Sequence, residues 1–290
     1  MHLLVVGGTG LVGTHVVDHA VERGHEVSWT YLTGDIDETA RAHRLDKTDA
    51  RAVDAVLADL DPDAVVDAAA FVDVDACETD RDRAWTVNAT GTRNVAAAAS
   101  SVGAHYLTLS TDYVFPGDPD DAPYGADDPV APPNYYGVTK YAAEGAARIA
   151  DEWTVLRTSV VYGDGPSNFV TWARSELDAG NEIGIVDDQV STPTYAPDLA
   201  RAAVEAVEDG LTGLSHAAGP TSLSRYAFTR RLAEAYGYDP TLVDPISTAE
   251  LGQDAPRPTD GSLDSTPLYD HLGWPFRGPR EAFAAMRERA

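Results

Sequence analysis

Of the 21 Lys and Arg residues in this 290-residue chain, only Lys47 and Lys140 are lysine. Lys140 stands four residues after Tyr136 in NYYGVTKYAAEG (134–145), and residues i and i+4 share one face of a helix, so the phenol and the ammonium can point together. A free phenol with a pKa near 10 is only about one part in a thousand ionised at pH 7. A neighbouring cation moves it toward working pH at about 1.36 kcal/mol per unit. The planar guanidinium of arginine does not replace a compact ammonium. That difference is a reason for one lysine to persist in a chain otherwise emptied of them.

A second group of residues suits a dinucleotide. The run LLVV leads into GGTGLVGTHVV, which places Gly7, Gly10 and Gly13 where a strand gives way to a helix. Such a turn lets a pyrophosphate approach the bare amides of Thr9, Gly10, Leu11 and Val12 at the helix N-terminus and then packs helix against strand. Ala68, Ala69 and Ala70 follow another apolar run and are small enough for a cofactor to lie against backbone. Enzymes that prefer NAD place Asp or Glu at the end of the second strand to bind the ribose hydroxyls. Here that strand ends WTYL, without an acid, and Arg41 and Arg44 follow. The cofactor expected is therefore NAD(P)H, inclining to NADP(H).

The elements that must hold these groups alternate. LLVVG, EVSWT, AVVDA, HYLTLS and WTVLR have the β-branched character of buried strands. Between them lie helical patterns at residues 11–22, 49–60, 88–101 and 136–151, the first and third stopped at Gly24 and Gly103. This order predicts an α/β fold with a Rossmann-type, doubly wound parallel sheet and right-handed crossovers. After about residue 163 the rhythm breaks into short elements separated by PTYAPD, DAPRPTD and GWPFRGP. The expected organisation is a dinucleotide-binding domain over 1–165, rejoined by 190–220, and a smaller C-terminal substrate lobe from 166–189 and 221–290.

A formal charge of -26, from 47 acids against 21 Lys and Arg, is spread along the chain. An acidic skin repels phosphate backbones and anionic lipid heads, so nucleic acid and membrane surfaces are poor partners. With lysine nearly absent, it fits a salt-rich cytosol, where a Debye length of roughly 3 Å at 1 M makes like charge tolerable. One cysteine, Cys77, permits no intrachain disulfide, and the eight histidines show no ligand spacing, so no metal is expected. No apolar run approaches 18 residues, and a cytoplasmic protein is expected.

Taken together, the sequence resembles the extended short-chain dehydrogenase/reductases, through GGTGLVG, the Tyr136–Lys140 pair and a hydroxyl 25 positions earlier in LSTDYVF. More narrowly it resembles the dTDP-4-dehydrorhamnose reductase group, through DAAAFVDVDACE (67–78), VNATGT (87–92), STDYVFPG (110–117), PNYYGVTKYAAE (133–144), RTSVVYG (157–163), NFV (168–170), STPTYAPDLA (191–200) and PRPTDGSLD (256–264). These stretches follow the family's order over nearly the whole chain. The resemblance implies that Tyr136 donates the proton, that Thr111 hydrogen-bonds the reacting carbonyl oxygen, and that Lys140 binds the nicotinamide ribose and lowers the tyrosine's pKa. It places Asp46 against adenine, Asp73, Val160, Asn168 and Arg257 around a nucleotide-linked keto-deoxysugar, and Asn88 at the family's helical asparagine.

The chain departs from that pattern at three places. Val160 stands where the family has a tryptophan, Phe71 and Val72 replace a polar pair, and His15 replaces a glutamate associated with an intersubunit metal. These departures leave the sugar, its nucleotide and a homodimer open. Two rivals stay beside the reductase: an NAD-retaining epimerase or dehydratase of the same superfamily, and a non-catalytic subunit resembling the regulatory partner of methionine adenosyltransferase. Glu144, four residues after Lys140, is expected to form a helix-stabilising ion pair with it.

Overall fold

Short apolar runs assemble into a seven-stranded parallel sheet in the computed structural model, which describes residues 1–34, 41–165 and 168–289. The strands are β1 (His2–Val6), β2 (Glu26–Tyr31), β3 (Ala42–Arg44), β4 (Ala64–Asp67), β5 (His105–Thr111) and β6 (Trp153–Thr158). Four more segments follow, β7 (Val161–Tyr162), β8 (Ile183–Val186), β9 (Val190–Ser191) and β10 (Thr194–Tyr195), before β11 (Gly213–His216) returns to the sheet. The spatial order is β11-β6-β5-β4-β1-β2-β3. The direction of winding reverses between β1 and β4, and in such sheets ligands bind beyond the carboxyl ends of the strands at that reversal. This is the doubly wound α/β architecture expected from the alternation. AVVDA is the fourth strand and not the third, because the three-residue β3 precedes it.

The helices are α1 (Leu11–Glu22), α2 (Ala50–Leu60), α3 (Val74–Thr79), α4 (Arg81–Trp85), α5 (Gly91–Val102), α6 (Tyr135–Ala147), α7 (Phe169–Asp178), α8 (Ala196–Glu208) and α9 (Arg225–Tyr236). Val16 and Ala20 of α1 pack with Leu199 and Ala203 of α8 on one face of the sheet. Val53 and Leu57 of α2, Val95 and Ala99 of α5, and Ala147 of α6 cover the other. Both faces are therefore buried, which explains the unbroken apolar character of LLVV and AVV. Helices stop where the sequence signals it: Gly24 and Gly103 have φ of 84° and 71°, and Asp49 caps α2 by accepting from the Arg51 and Ala52 amides.

A further apolar cluster joins α7, β8, α9 and the C-terminal helix Pro279–Arg289, with Tyr162, Phe228 and Phe283 wholly buried at its centre. Burying each such aromatic contributes about 1.5–3 kcal/mol relative to exposure. Strand β8 pairs in parallel with Val243–Ile246. This second core holds α7 and α9 against the carboxyl edge of the sheet, where β1, β4 and β5 end. Among the described residues no helix is long and apolar enough to cross a membrane.

Candidate active site

The site begins at the turn between β1 and α1. Gly7 has φ 84°, and a Cβ added there would lie 2.9 Å from that of Ala69; one added at Gly13 would lie 2.1 Å from the Gly7 carbonyl oxygen. Those two glycines are demanded by packing between strand and helix. Gly10 is different: a Cβ there meets only the Gly7 oxygen at 3.4 Å. Gly10 is exposed, lines the cleft and caps α1 without a side-chain hydrogen bond, so amides are left facing open space. A glycine that no protein neighbour requires, at an uncapped helix N-terminus, fits a cofactor pyrophosphate.

The same turn is braced from β2. The Thr30 hydroxyl accepts from the Gly7 amide at 3.2 Å, and Trp29 packs so closely that a Cβ on Gly8 would lie 2.7 Å from it. Past the strand end, Arg44 Nε donates to the Leu32 carbonyl at 3.4 Å. A guanidinium therefore leans over the place where an NAD-preferring acid would stand. Residues 35–40 lie outside the described set.

Across the switch point, Leu11 and Val12 face Ala68 and Ala70 in one cavity of about 530 Å³. Ala69 packs beneath, against Gly7. The alanine run is fixed by the chain's other lysine: buried Lys47 Nζ lies 2.6 Å from Asp67 Oδ2 and donates to the Ala69 carbonyl at 2.8 Å, while the Tyr106 hydroxyl donates to the same Asp67 oxygen at 2.9 Å. Both lysines are thus buried, Lys140 on the cavity wall and Lys47 behind the alanine run. Asn88, wholly buried in a π-helical turn, accepts from the Phe71 amide at 2.8 Å and donates to the Phe71 carbonyl at 3.0 Å and the Thr139 hydroxyl at 3.0 Å. It bridges the alanine loop to α6.

Thr111, Tyr136 and Lys140 line the same cavity. Thr111 ends β5, and α6, capped by Asn134 accepting from Gly137 at 2.8 Å, presents the other two on one face. Tyr136 and Thr111 stand side by side on the wall of that cavity. Lys140 Nζ donates to the Leu109 carbonyl at 2.8 Å, and burial, reinforced by the charge of Lys47, lowers its pKa to about 8. The expected lowering of the Tyr136 pKa is corrected here. Burial in the cleft raises it, with the nearby Asp112 carboxylate adding to the effect. The desolvation of a phenolate outweighs the cation one helical turn away.

Glu144 requires a second correction. It makes no surface pair with Lys140; it is buried, with Oε1 2.8 Å from Arg157 Nε, Oε2 2.8 Å from Arg157 Nη2, and the Ser110 hydroxyl donating to Oε1 at 2.6 Å. The helical face that carries Tyr136 and Lys140 packs on the sheet, so its next residue meets β5 and β6 instead of solvent. Asp46 is exposed and closes a turn by accepting from the Thr48 amide at 2.9 Å. Asp73 is also exposed and caps α3, accepting from Ala76 at 3.0 Å; the cavity wall beside it is made by Val72 and Val74.

On the substrate side Val160 and Asn168 line the main cavity. Asn168 caps α7 and donates to the Gly163 carbonyl at 3.0 Å. Val160 has φ 43°, an unusual conformation for a β-branched residue. Arg257 lines an adjoining cavity of about 300 Å³ with Phe169, Trp172, Ile185, Val186, Gln189 and Gln253, and its Nη2 lies 2.9 Å from Asp75 Oδ2. Sequence reasoning missed Asp112, buried beneath Thr111, and Arg225, which lines both cavities above the Phe169 ring. Asp112 was in view inside STDYVF. Nothing local marks Arg225, which enters from a helix 114 residues beyond Thr111.

A Rossmann sheet with a glycine turn at its switch point and a Tyr–Lys helix over its carboxyl edge defines an NAD(P)H-dependent oxidoreductase of the extended short-chain type. The family model described as "RmlD substrate binding domain" matches residues 1–290, and the chain belongs to that family, the dTDP-4-dehydrorhamnose reductases. It is 37% identical over 284 residues to the dTDP-4-dehydrorhamnose reductase of Mycolicibacterium smegmatis, covering 97% of this chain and 83% of that one. A probable low-salt glycan biosynthesis reductase of Haloferax volcanii is 33% identical over 279 residues, 94% of this chain and 93% of the relative. The crystal structure of a Bacillus anthracis dTDP-4-dehydrorhamnose reductase in complex with NADP superposes with a TM-score of 0.89 at 28% identity, over 100% of this chain and 99% of that one.

Proposed function

We propose that this chain reduces the 4-keto group of a nucleotide-linked 6-deoxysugar of the dTDP-4-dehydrorhamnose type, with NADPH as the working cofactor. The observation that carries the reading is the single cavity shared by Thr111, Tyr136, Lys140, Gly10 and the Ala68/Ala70 wall. Bound NADPH supplies the hydride that reaches the carbonyl carbon. Tyr136, protonated because burial raises its pKa, gives its proton to the oxygen as charge builds there. Thr111 holds that oxygen beside the phenol. Lys140, cationic at neutral pH, carries the nicotinamide ribose hydroxyls, and the amides of Thr9, Leu11 and Val12 carry the pyrophosphate, the Gly10 amide being spent on the Gly7 carbonyl. Arg44, beside the end of β2, supports the choice of a 2'-phosphate.

On the other side, Arg225 and Arg257 meet the sugar diphosphate, and the apolar second cavity takes the base. The lobe of residues 166–189 and 221–290 is the part that presents these groups to the dinucleotide-binding remainder. Its surroundings are a salt-rich cytosol, in which the acidic skin is screened and a homodimer is compatible. Lowering salt from molar to about 0.1 M should then reduce the melting temperature, as weakly screened acids repel; an unchanged value would sink that setting.

The deciding experiment is cofactor oxidation by purified protein across a panel of nucleotide keto-sugars, with NADPH and NADH compared. Turnover of 4-keto-6-deoxysugars with NADPH is expected. Protein purified with NAD tightly bound, converting sugars without net cofactor oxidation, would instead establish an epimerase or dehydratase.

A further inference from the structure

Asp112 lies beneath the reacting groups at the border of the main cavity, with 3% of its surface exposed. The Thr111 hydroxyl lies 2.9 Å from Oδ1 and the Ser159 hydroxyl 2.7 Å from Oδ2. Gly261 packs on the Oδ2 side, where a Cβ would stand 3.0 Å from that oxygen. An ionised carboxylate can only accept hydrogen bonds, so both hydroxyls must turn their hydrogens toward it. The Thr111 oxygen meanwhile accepts the Tyr113 amide at 3.2 Å. A hydroxyl has one hydrogen. While Thr111 gives it to Asp112, none remains for a carbonyl oxygen that is becoming an alkoxide.

We propose that Asp112 is a positioning residue whose protonation sets the direction of the hydrogen bond at Thr111, and so gates the reduction. This rests on the keto-sugar reductase reading above. When Asp112 is ionised, Thr111 spends its hydrogen on the carboxylate and can offer the substrate oxygen none. Protonated on Oδ1, Asp112 donates to the Thr111 oxygen, and the threonine turns its own hydrogen into the cleft. The Asp112 proton is not consumed, because the hydride from NADPH and the proton from Tyr136 complete the reduction between them.

The groups facing this carboxyl are Tyr136 from α6, Tyr113 from its own turn and Arg225 from α9. The link after β6 offers only Ser159. The loop at 256–263 makes its contact through Gly261, while its charged residues are engaged elsewhere, Arg257 with Asp75 and Asp260 with the Ser262 amide. Burial raises the carboxyl pKa to about 6 against the pull of its two hydroxyl partners and Arg225. The gate is therefore set above the ordinary carboxylate range, opening as pH falls toward about 6 and closing progressively as pH rises past it.

Two measurements test this. The carbon-13 signal of the Asp112 carboxyl in the purified full chain should titrate well above the ordinary carboxylate range, and Thr111→Val, which removes a donor to the ionised form, should move the titration to higher pH. These readings need no substrate, so they judge the Thr111–Asp112 link even if the panel of keto-sugars shows no turnover. With a turned-over sugar, wild-type kcat should fall by up to tenfold per pH unit above the carboxyl's titration. Asp112→Asn, whose amide carries the donor that the protonated acid would supply, should lose that break while binding NADPH as before. If the asparagine variant fails to fold, Ser159→Ala should shift the break upward. A carboxyl titrating in the ordinary range, a titration unmoved by Thr111→Val, or an asparagine variant slowed equally at every pH would each overturn the proposal.

Discussion

The two walls of the cleft are built on different principles. On the cofactor wall, Gly7 and Gly13 are dictated by close packing, with would-be Cβ contacts of 2.9 Å to Ala69 and 2.1 Å to the Gly7 carbonyl, and the spacing of the two glycines is that of the turn itself. On the substrate wall, Val160, Phe169, Arg225 and Arg257 come from segments spread over almost 100 residues and meet only because the second core holds α7 and α9 over the sheet. The first wall tolerates little change and announces itself in sequence. The second can be rebuilt residue by residue without touching the frame, which is where members of one reductase family can diverge in substrate.

The largest test of this contrast lies where the walls meet. Tyr136→Phe should lower kcat by 10² to 10⁴, the range typical of a lost general acid, with NADPH affinity retained because the ring still fills its place against Tyr113. Wild-type turnover in the variant would remove Tyr136 from the reaction. Nearly as large is the frame beneath. Glu144→Gln leaves the Arg157 guanidinium, 3% exposed, without its counter-charge, and breaking a buried pair costs about 3–5 kcal/mol. A loss that size in denaturant unfolding is expected; a loss under 1 kcal/mol would show that the Ala126 carbonyl and the Phe115 ring suffice for the arginine.

A paired substitution then compares function and packing within one turn. Gly13→Ala should destabilise the fold by about 1–3 kcal/mol through overpacking against the Gly7 carbonyl. Gly10→Ala should leave stability nearly unchanged yet weaken NADPH binding, because its methyl projects into the cavity. Equal melting temperatures with equal cofactor affinities would dissolve the distinction between the two glycines.

How much of this was legible in the chain follows the same division. The alternating elements, the glycine turn and the Tyr136–Lys140 face are local patterns, and each stands in the structure where its spacing requires. β3 escaped because three residues, AHR, carry no period that can be read. Helical spacing pairs Glu144 with Lys140 because it says which residues share a face but not what that face meets; the partner, Arg157, lies on another element. Arg225 and Ser159 were invisible for a similar reason, since their importance rests on Asp112, and that meeting is made by tertiary packing. Lys47 was visible as a rarity. Its task required knowing that β4 would set Asp67 beside it.

The smallest expected effect tests the substrate wall alone. Val160 holds a φ of 43°, a conformation that costs a non-glycine residue on the order of 1–3 kcal/mol, and it stands between the main cavity and a pocket of only about 10 Å³ lined by Asp112, Gln189 and Arg225. The family's tryptophan at this position would offer an aromatic face to the sugar, but here the Phe169 ring, with Arg225 5.6 Å above it, already borders the space an indole would need. Val160→Trp should therefore fail to raise kcat/KM for dTDP-4-dehydrorhamnose. If the wall were instead a family pocket merely missing its tryptophan, restoring a contact of about 1.4 kcal/mol would raise kcat/KM up to tenfold. The quantity to measure is the ratio of kcat/KM between variant and parent, with melting temperature recorded so that a folding defect is not mistaken for a shape effect. A clear gain would mean that this wall, like the glycine turn, follows the family pattern and that Val160 alone had obscured it.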